Sequence, residues 1–201
     1  LNFADAAGAL AGEAVAGELQ IKLVADRSGG YSTDGKITLT GGQAYSDPVF
    51  LDFGAHRMSV DFSGMLSADA SHFAAREFSL AHDGVASVSG SATLDLFGET
   101  MLQEAKLAIS DLDLATALPA YVQPYLIGTS LKDLEGLGHV HGEVDVAAGL
   151  PTRAVLTFDG VTLDSQTGSL AVSGLGGTLN WFDDSLRSEL AGQIDDDSFR
   201  S

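Results

Sequence analysis

The strongest constraint on the fold of this chain is a strict two-residue alternation between positions 139 and 146. Apolar or small residues take every second position and polar residues take those between, in the order His139, Val140, His141, Gly142, Glu143, Val144, Asp145 and Val146. Successive side chains of a β-strand point to opposite faces, so this period predicts a strand with one dry and one solvated face.

Further alternating or apolar runs predict strands throughout the chain. The clearest alternation occurs at Glu18–Ala25, Arg57–Ser63 and Ser91–Leu96, and the 24 glycines suit a β protein with many turns. Asp34-Gly35 and Asp159-Gly160 predict hairpin turns, because both central positions of such turns need positive φ. Other predicted strands are Lys36–Thr40, Ala44–Phe53, Phe73–His82, Val85–Phe97 and Met101–Ile109. We therefore predict a mainly β fold, a long twisted antiparallel meander.

Two landmarks suggest an internal repeat. Gly17-Glu18-Leu19 and Asp34-Gly35 recur as Gly142-Glu143-Val144 and Asp159-Gly160 at the same offset of 125 residues. The repeat would cover 17–64 and 142–189, but glycine is abundant and chance is an equal rival. Residue 1 is Leu rather than an initiator Met, and no signal peptide is present. We expect residues 1–201 to form a single elongated β domain, a fragment of a larger protein.

One segment, near residues 110–128, departs from the β pattern. A stripe with helical spacing is formed by Leu114, Leu118, Tyr121, Val122, Tyr125 and Leu126. Ser110 with Asp113 resembles a capping box, and Gly128 is placed to end the helix. Pro119 and Pro124 cannot both lie inside one straight helix, so we predict two short pieces or a kinked helix across a sheet. The same prolines argue against a membrane span in this uncharged run.

Composition excludes several partners. The chain has 28 acidic and 10 basic residues, a formal net charge of −18, and no cysteine. Phosphates would be repelled, which argues against nucleic acid, and adsorption to an anionic membrane surface is disfavoured for the same reason. Without cysteine there are no disulfides and no thiol chemistry. The simplest interpretation of the charge is that it keeps a β-rich surface soluble.

No residue pattern indicates an enzyme. His139 and His141 leave one strand face and could share a metal, but further ligands are lacking nearby, so we interpret them as solvated. The acidic runs Asp183-Asp184 and Asp195–Asp197 lack the spacing and glycine of a calcium loop. Nucleophile elbows and phosphate-binding glycine patterns are also missing from the sequence. We predict no catalytic residue, no metal and no cofactor.

Four sequence stretches together carry a resemblance to a known family. They are the capped segment DLDLATALPAYVQPYLIGTSLKDLEG, the strands GHVHGEVDV and AVLTFDGVTL, and the closing element SGLGGTLNW at Ser173–Trp181. With the upstream GGQAYSDPVFLDFGAHRMSVDFSG, they resemble the AsmA-like family of bacterial envelope proteins, over about Glu18 to Trp181. The net charge of −18 is a departure, since such a fragment need not be this acidic. The resemblance implies an antiparallel sheet curled into a groove with an apolar inside, and a periplasmic protein whose parent is anchored in the inner membrane.

The resemblance also implies a function, the carriage or conduction of phospholipid between the inner and outer membranes. The expected partners are phospholipid acyl chains and neighbouring segments of the parent protein, with membrane contact only through parts absent from this chain. The periodic apolar positions that would line such a groove are Leu39, Leu51, Phe53, Met58, Val60, Phe62, Leu94, Val144, Val146 and Phe158. Two alternatives stay open: a structural or assembly domain of the envelope without lipid, and an enzyme or carbohydrate-binding sandwich. Alternation alone does not separate an open groove from a closed sandwich.

Overall fold

The chain folds into one antiparallel sheet of 11 strands with a short helical interruption, as the sequence predicts. The computed structural model describes residues 1–5, 10–27, 29–98, 100–166, 168 and 170–183. The strands are β1 (Phe3–Ala4), β2 (Leu10–Ala25), β3 (Tyr31–Ser46), β4 (Val49–Asp52), β5 (Met58–Leu66), β6 (His72–His82), β7 (Ala86–Asp95), β8 (Leu102–Asp113), β9 (Leu134–Ala147), β10 (Leu150–Ser165) and β11 (Ala171–Phe182).

The strands follow one another as a meander. Their order across the sheet is β1-β2-β3-β5-β6-β7-β8-β9-β10-β11, and β4 pairs with the end of β3 beyond β5. All pairs in the described residues are antiparallel, and β2 and β11 do not meet, so the sheet is not closed into a barrel. The predicted repeat stays untested, and the end of its second copy lies outside the described residues.

The prediction that the two Asp-Gly pairs form hairpin turns is wrong. Asp34 and Gly35 lie inside β3, where Gly35 pairs with Ile21 on one side and with Phe62 on the other. The ring of Phe62 lies over Gly35, so that a Cβ at this position would come within 2.2 Å of its Cζ atom. Gly160 lies inside β10 with φ +60, at a shift of register. These glycines provide room for a ring and a bulge rather than a turn.

Two further boundaries also differ from the sequence prediction. Gly41 and Gly42, which separate the predicted strands Lys36–Thr40 and Ala44–Phe53, lie inside β3, where Gly42 has φ +80 next to a register shift against β2. Between the predicted strands Arg57–Ser63 and Phe73–His82, β5 continues to Leu66 and β6 starts at His72. Strands of up to 16 residues with bulges replace the shorter ones predicted, because glycine marks turns and bulges alike.

The helical segment, Leu114–Leu126, has the kinked form expected from its prolines. It consists of α1 (Leu114–Ala117), a π-helical turn (Leu118–Val122) that contains Pro119, and α2 (Gln123–Leu126) that contains Pro124. The capping-box prediction is wrong, because the Ser110 hydroxyl donates to the carbonyl of Ser87 instead. Asp113 is itself the N-cap and accepts a hydrogen bond from the Ala115 amide at 3.0 Å.

The most deeply buried residues lie where the helical segment meets the sheet. One cluster joins Val85, Ala86 and Ala117. A second cluster joins Leu114, Val140 and Val161, and Val161 is fully buried. None of the helices in the described part of the chain is long and apolar enough to cross a membrane.

Candidate functional site

One face of the sheet is apolar across nearly its whole width. Cross-strand partners point to the same side, so each row of paired residues can be followed from strand to strand. One such row is Ile21, Gly35, Phe62, Phe78, Gly90, Leu107, Val144, Ala154 and Trp181. A neighbouring row is Leu19, Ile37, Val60, Leu80, Val88, Ile109, Gly142, Leu156 and Leu179. We call the side formed by these and the parallel rows the apolar face.

The register brings most of the predicted groove residues onto this face. The residues placed there by direct pairing are Leu39, Met58, Val60, Phe62, Leu94, Val144, Val146 and Phe158. All of them are half-buried, neither sealed in a core nor free in solvent. Their role in holding a ligand stays a prediction.

Leu51 and Phe53 occupy a different environment from the other predicted groove residues. Leu51 is half-buried in β4, whereas Phe53, just after this strand, is only 4% exposed. The strand β4 lies against the π-helical turn, and the Phe53 amide donates to the carbonyl of Gly42 at 2.9 Å. Phe53 is therefore buried beside the helical segment and is not part of an open surface.

The helical segment covers one end of the apolar face. Its residues Ala117 and Leu118 are 1% and 4% exposed. At this end lies the row Leu39, Met58, His82, Ala86, Leu112, Val140 and Phe158, of which His82, Ala86, Leu112, Val140 and Phe158 belong to the contacts or clusters formed with the segment. We call this region the capped end.

The other end of the apolar face is not covered by a second layer in the described residues. On β2, Leu19, Ile21 and Leu23 are 64%, 51% and 53% exposed. Leu179 and Trp181 on β11 are also exposed. We call the apolar rows beyond the helical segment the open end. A contiguous exposed apolar surface of this kind marks a site of interaction.

Part of the open end is nevertheless closed by its own side chains. The rings of Phe62 and Phe73 meet edge to face with centroids 5.6 Å apart, an arrangement that aromatic pairs favour. Both flank Gly64, which is buried and whose missing side chain leaves room for the Phe73 ring. Ala75 and Ala105, in the same row as Gly64, are 7% and 5% exposed.

The opposite face carries polar and charged side chains, some of which form ion pairs across strands. Lys36 Nζ lies 3.2 Å from an Asp61 carboxylate oxygen, and the Arg153 guanidinium lies 3.2 Å from Glu143. A hollow of about 680 Å³ runs across β2, β3, β5 and β6 between two rows of these polar side chains. This face offers ion pairs and hydroxyls rather than apolar contacts.

The two histidines predicted to be solvated lie on this polar face. His139 Nδ1 is 2.9 Å from Asp111 Oδ1, and His141 Nδ1 is 3.5 Å from Asp159 Oδ2. The hydrogen bond that His139 donates to Asp111, and then the charge of Asp111, raise the pKa of His139 above its ordinary value. Among the described residues, no group of three or more His, Asp or Glu side chains is arranged to hold a metal. Asp184 and Asp195–Asp197 lie outside the described residues.

One residue of the apolar face was missed by the sequence reasoning. His82 is only 3% exposed, its Nδ1 lies 2.7 Å from the Tyr121 hydroxyl, and its Nε2 is buried without a hydrogen-bond partner. Burial lowers the pKa of His82, and the nearby His56 adds to the effect. The signal was present in the alternation Phe78, Leu80, His82, which places an imidazole at an apolar position.

Comparison with known proteins identifies no relative of this chain. No protein-family model, curated protein or solved structure matches the chain.

Proposed function

We propose that this chain is a non-enzymatic module of the bacterial envelope that holds or conducts phospholipid acyl chains along its apolar face. The observation that carries the proposal is the continuity of this face from β2 to β11, with only the helical segment lying over it in the described residues. Such a surface needs a hydrophobic occupant or remains in contact with water.

Acyl chains fit such a surface for a simple physical reason. Each methylene removed from water contributes about 0.8 kcal/mol, and the interaction requires no particular direction. Half-buried side chains such as Val60 and Val144 retain apolar area that an acyl chain could cover. A conduit of this kind needs no catalytic group, which agrees with the lack of an enzyme signature in the sequence.

The cellular setting of the proposal rests on the resemblance to the AsmA-like family. This resemblance implies that the chain lies in the periplasm as part of a larger protein anchored in the inner membrane. The expected partners of the chain are neighbouring segments of that larger protein. The expected cargo is phospholipid moving between the inner and outer membranes. The edge strands β2 and β11, which have no further strand beside most of their length in the described residues, are compatible with such neighbours.

One observation favours a second candidate, a structural domain without lipid. The Phe62–Phe73 pair over Gly64 and the helical segment over Ala86 show that the sheet covers part of its apolar face with its own residues. If the remaining apolar area were covered by other segments of a larger protein, the same face would be a core rather than a conduit.

Lysine substitution on the apolar face separates these candidates. In Val60→Lys and Val144→Lys the ammonium can reach water over an open face, so folding should survive, whereas in a closed core it would be buried unpaired at a cost of about 2–5 kcal/mol. Each variant is measured for melting temperature and for phospholipid released by organic extraction of the purified protein. The matched controls, Ser59→Lys and Ala108→Lys, add the same charge to the polar face beside these positions.

The lipid proposal predicts folded Val60→Lys and Val144→Lys proteins that have lost lipid, beside Ser59→Lys and Ala108→Lys proteins that keep it. Unfolded apolar-face variants, together with an unsubstituted protein that never carries lipid, would leave the structural domain as the better account.

A further inference from the structure

The capped end contains a buried polar contact that the lipid proposal does not use. His82 lies at the end of β6, between Met58 of β5 and Ala86 of β7 in the sheet. The phenol of Tyr121, from the π-helical turn, meets the ring of His82 with centroids 5.8 Å apart and its hydroxyl 2.7 Å from Nδ1. This contact joins the helical segment directly to the sheet.

A second histidine lies on the other side of His82. The ring of His56, in the connection before β5, meets His82 edge to face with centroids 5.9 Å apart. His56 Nδ1 lies 2.9 Å from the carbonyl oxygen of Asp83, and since a carbonyl only accepts, this nitrogen carries the proton. The His56 ring is therefore fixed at its place beside His82.

Few other groups hold the helical segment to this part of the sheet. In the described residues the Thr116 hydroxyl donates to the carbonyl of Gly84 at 2.6 Å, the amide of the N-cap Asp113 donates to the carbonyl of Val85 at 3.0 Å, and Ala117 packs on Val85 and Ala86. The segment has no regular helix longer than one turn, so its own backbone provides little stability. Its position depends on the packing of its side chains.

We propose that His82, held between Tyr121 and His56, is a proton-sensitive latch that keeps the helical segment on the capped end and releases it when the imidazole is protonated. A proton on His82 would place a charge in a site that is 3% exposed, where Nε2 has no hydrogen-bond partner among the described residues. Opening the segment would let water reach the imidazolium.

The charged and titratable neighbours of His82 support this direction. His56 provides a second ring that would repel a proton on His82 when it is itself protonated, and Tyr121 provides only a neutral hydroxyl. Met58 and Ala86, the paired residues on β5 and β7, are apolar. The backbone of His56, by a hydrogen bond, and the carboxylate of Asp83, by its charge, act in the opposite direction, but Asp83 is exposed to solvent, where its attraction is screened, and burial is the larger effect. Burial accordingly lowers the pKa of His82, so the neutral ring is the form that fits the latched state.

The consequence of opening rests on the proposed function, although the opening itself does not. Release of Ala117 and Leu118 from the sheet would uncover Ala86, Leu112 and Val140 and extend the open apolar face over the capped end. A more acidic environment would thereby enlarge the surface that is available to acyl chains.

The lack of cysteine in the chain makes the opening measurable with single thiol reporters. Ala117→Cys places a thiol at a position that is 1% exposed, and Ala115→Cys places one on the exposed side of the same helix. The rate of alkylation by iodoacetamide is measured for each between pH 8 and pH 5. The ratio of the two rates cancels the effect of pH on the thiol and reports the opening of the segment.

The latch predicts that the ratio of the Ala117→Cys rate to the Ala115→Cys rate rises as the pH falls below about 6.5, by at most about tenfold per pH unit. His82→Gln and His82→Leu, two neutral replacements of different polarity, should each make the ratio independent of pH. Tyr121→Phe should raise the ratio at neutral pH, while His139→Gln, on the polar face, should leave the pH response unchanged.

Hydrogen exchange of the amides of 114–126 in the unsubstituted chain and in His82→Gln provides the same comparison without a reporter. The proposal would be overturned if the ratio of alkylation rates were independent of pH in the protein that retains His82. It would also be overturned if the ratio still changed with pH in both His82→Gln and His82→Leu. Because no lipid is present in either experiment, a failure of the latch proposal would be distinct from a failure of the lipid-binding proposal.

Discussion

The capped end and the open end of the apolar face have the same kind of sequence but different burial. At the capped end Ala117 is 1% exposed and Val161 fully buried, whereas Ile21 and Leu23 at the open end are 51% and 53% exposed. The alternation of apolar and polar residues is as regular in β2 as in β9. The difference comes from the helical segment, which provides the second layer that an alternating strand needs to bury its face. Stability is therefore expected to reside at the capped end and ligand access at the open end.

Adding a charge at each end should give the largest contrast. Ala117→Asp places a carboxylate between the helical segment and Ala86, where it has no partner, and should lower the free energy of unfolding by about 2–5 kcal/mol. Ile21→Asp adds the same group at a half-exposed position and should cost less than about 1 kcal/mol. Urea unfolding followed by circular dichroism measures both. Equal losses would mean that the two ends are buried alike in solution.

Removal of methyl groups should show the same contrast with a smaller amplitude. Val161→Ala deletes two buried methyl groups and should cost about 1.5 kcal/mol. Leu23→Ala deletes more carbon from a half-exposed side chain and should nevertheless cost less, since much of it already lies in water. Thermal unfolding of the two variants tests this ranking, and a Leu23→Ala protein that is the less stable of the two would contradict it.

The histidines of the two faces should respond to pH in opposite directions. Asp111 raises the pKa of His139 by a hydrogen bond and by its charge, so the stability from this pair is complete below about pH 6.5 and is lost as the pH rises through the raised value. Burial lowers the pKa of His82, so stability at the capped end falls as the pH drops below about 6.5.

The contribution of the exposed His139–Asp111 pair is tested by two variants, His139→Gln and Asp111→Asn, which each remove one partner. Both should lower the melting temperature slightly at pH 5.5 and leave it unchanged at pH 9. A loss that is equal at the two pH values would show that the ring contributes by packing rather than by charge.

Metal removal should have no effect on the stability of the protein. His139 pairs with Asp111 and His141 with Asp159, and no group of three or more possible ligands is arranged around a metal position among the described residues. Addition of a chelator is therefore expected to leave the melting temperature of the unsubstituted protein unchanged, and likewise that of the double variant His139→Ala, His141→Ala. A chelator-induced drop in the unsubstituted protein alone would reveal a metal site between these histidines.

The assignment of faces could be predicted from the sequence because it depends on period two alone. Val60, Phe62 and Val144 lie on the apolar face as period two predicts, since alternate residues of a strand without a bulge between them share one face. The positions of turns could not be predicted as well. Gly35 and Gly160 have the composition of hairpin turns, but one provides room for the ring of Phe62 and the other forms a bulge.

The site at the capped end was beyond the reach of pattern reasoning. The helical stripe was correct for Leu114 and Leu118, which are buried, but Val122 and Tyr125 are 44% and 63% exposed. The π-helical turn changes the spacing of the stripe, so its later members leave the sheet. Phe53 is buried directly after β4, which contacts this turn, and such a contact between distant parts of the chain is not encoded by local sequence.

The central claim, that the apolar face is open to acyl chains, is tested most directly by photo-crosslinking. The protein is incubated with monomeric short-chain phosphatidylethanolamine that carries a diazirine in one acyl chain, irradiated and mapped by peptide mass spectrometry. We expect adducts on apolar-face residues at the open end, such as Ile21, Val60 and Val144, and none on the polar-face neighbours Ser59 and Glu143. Adducts spread equally over both faces, or no adducts at all, would contradict the account.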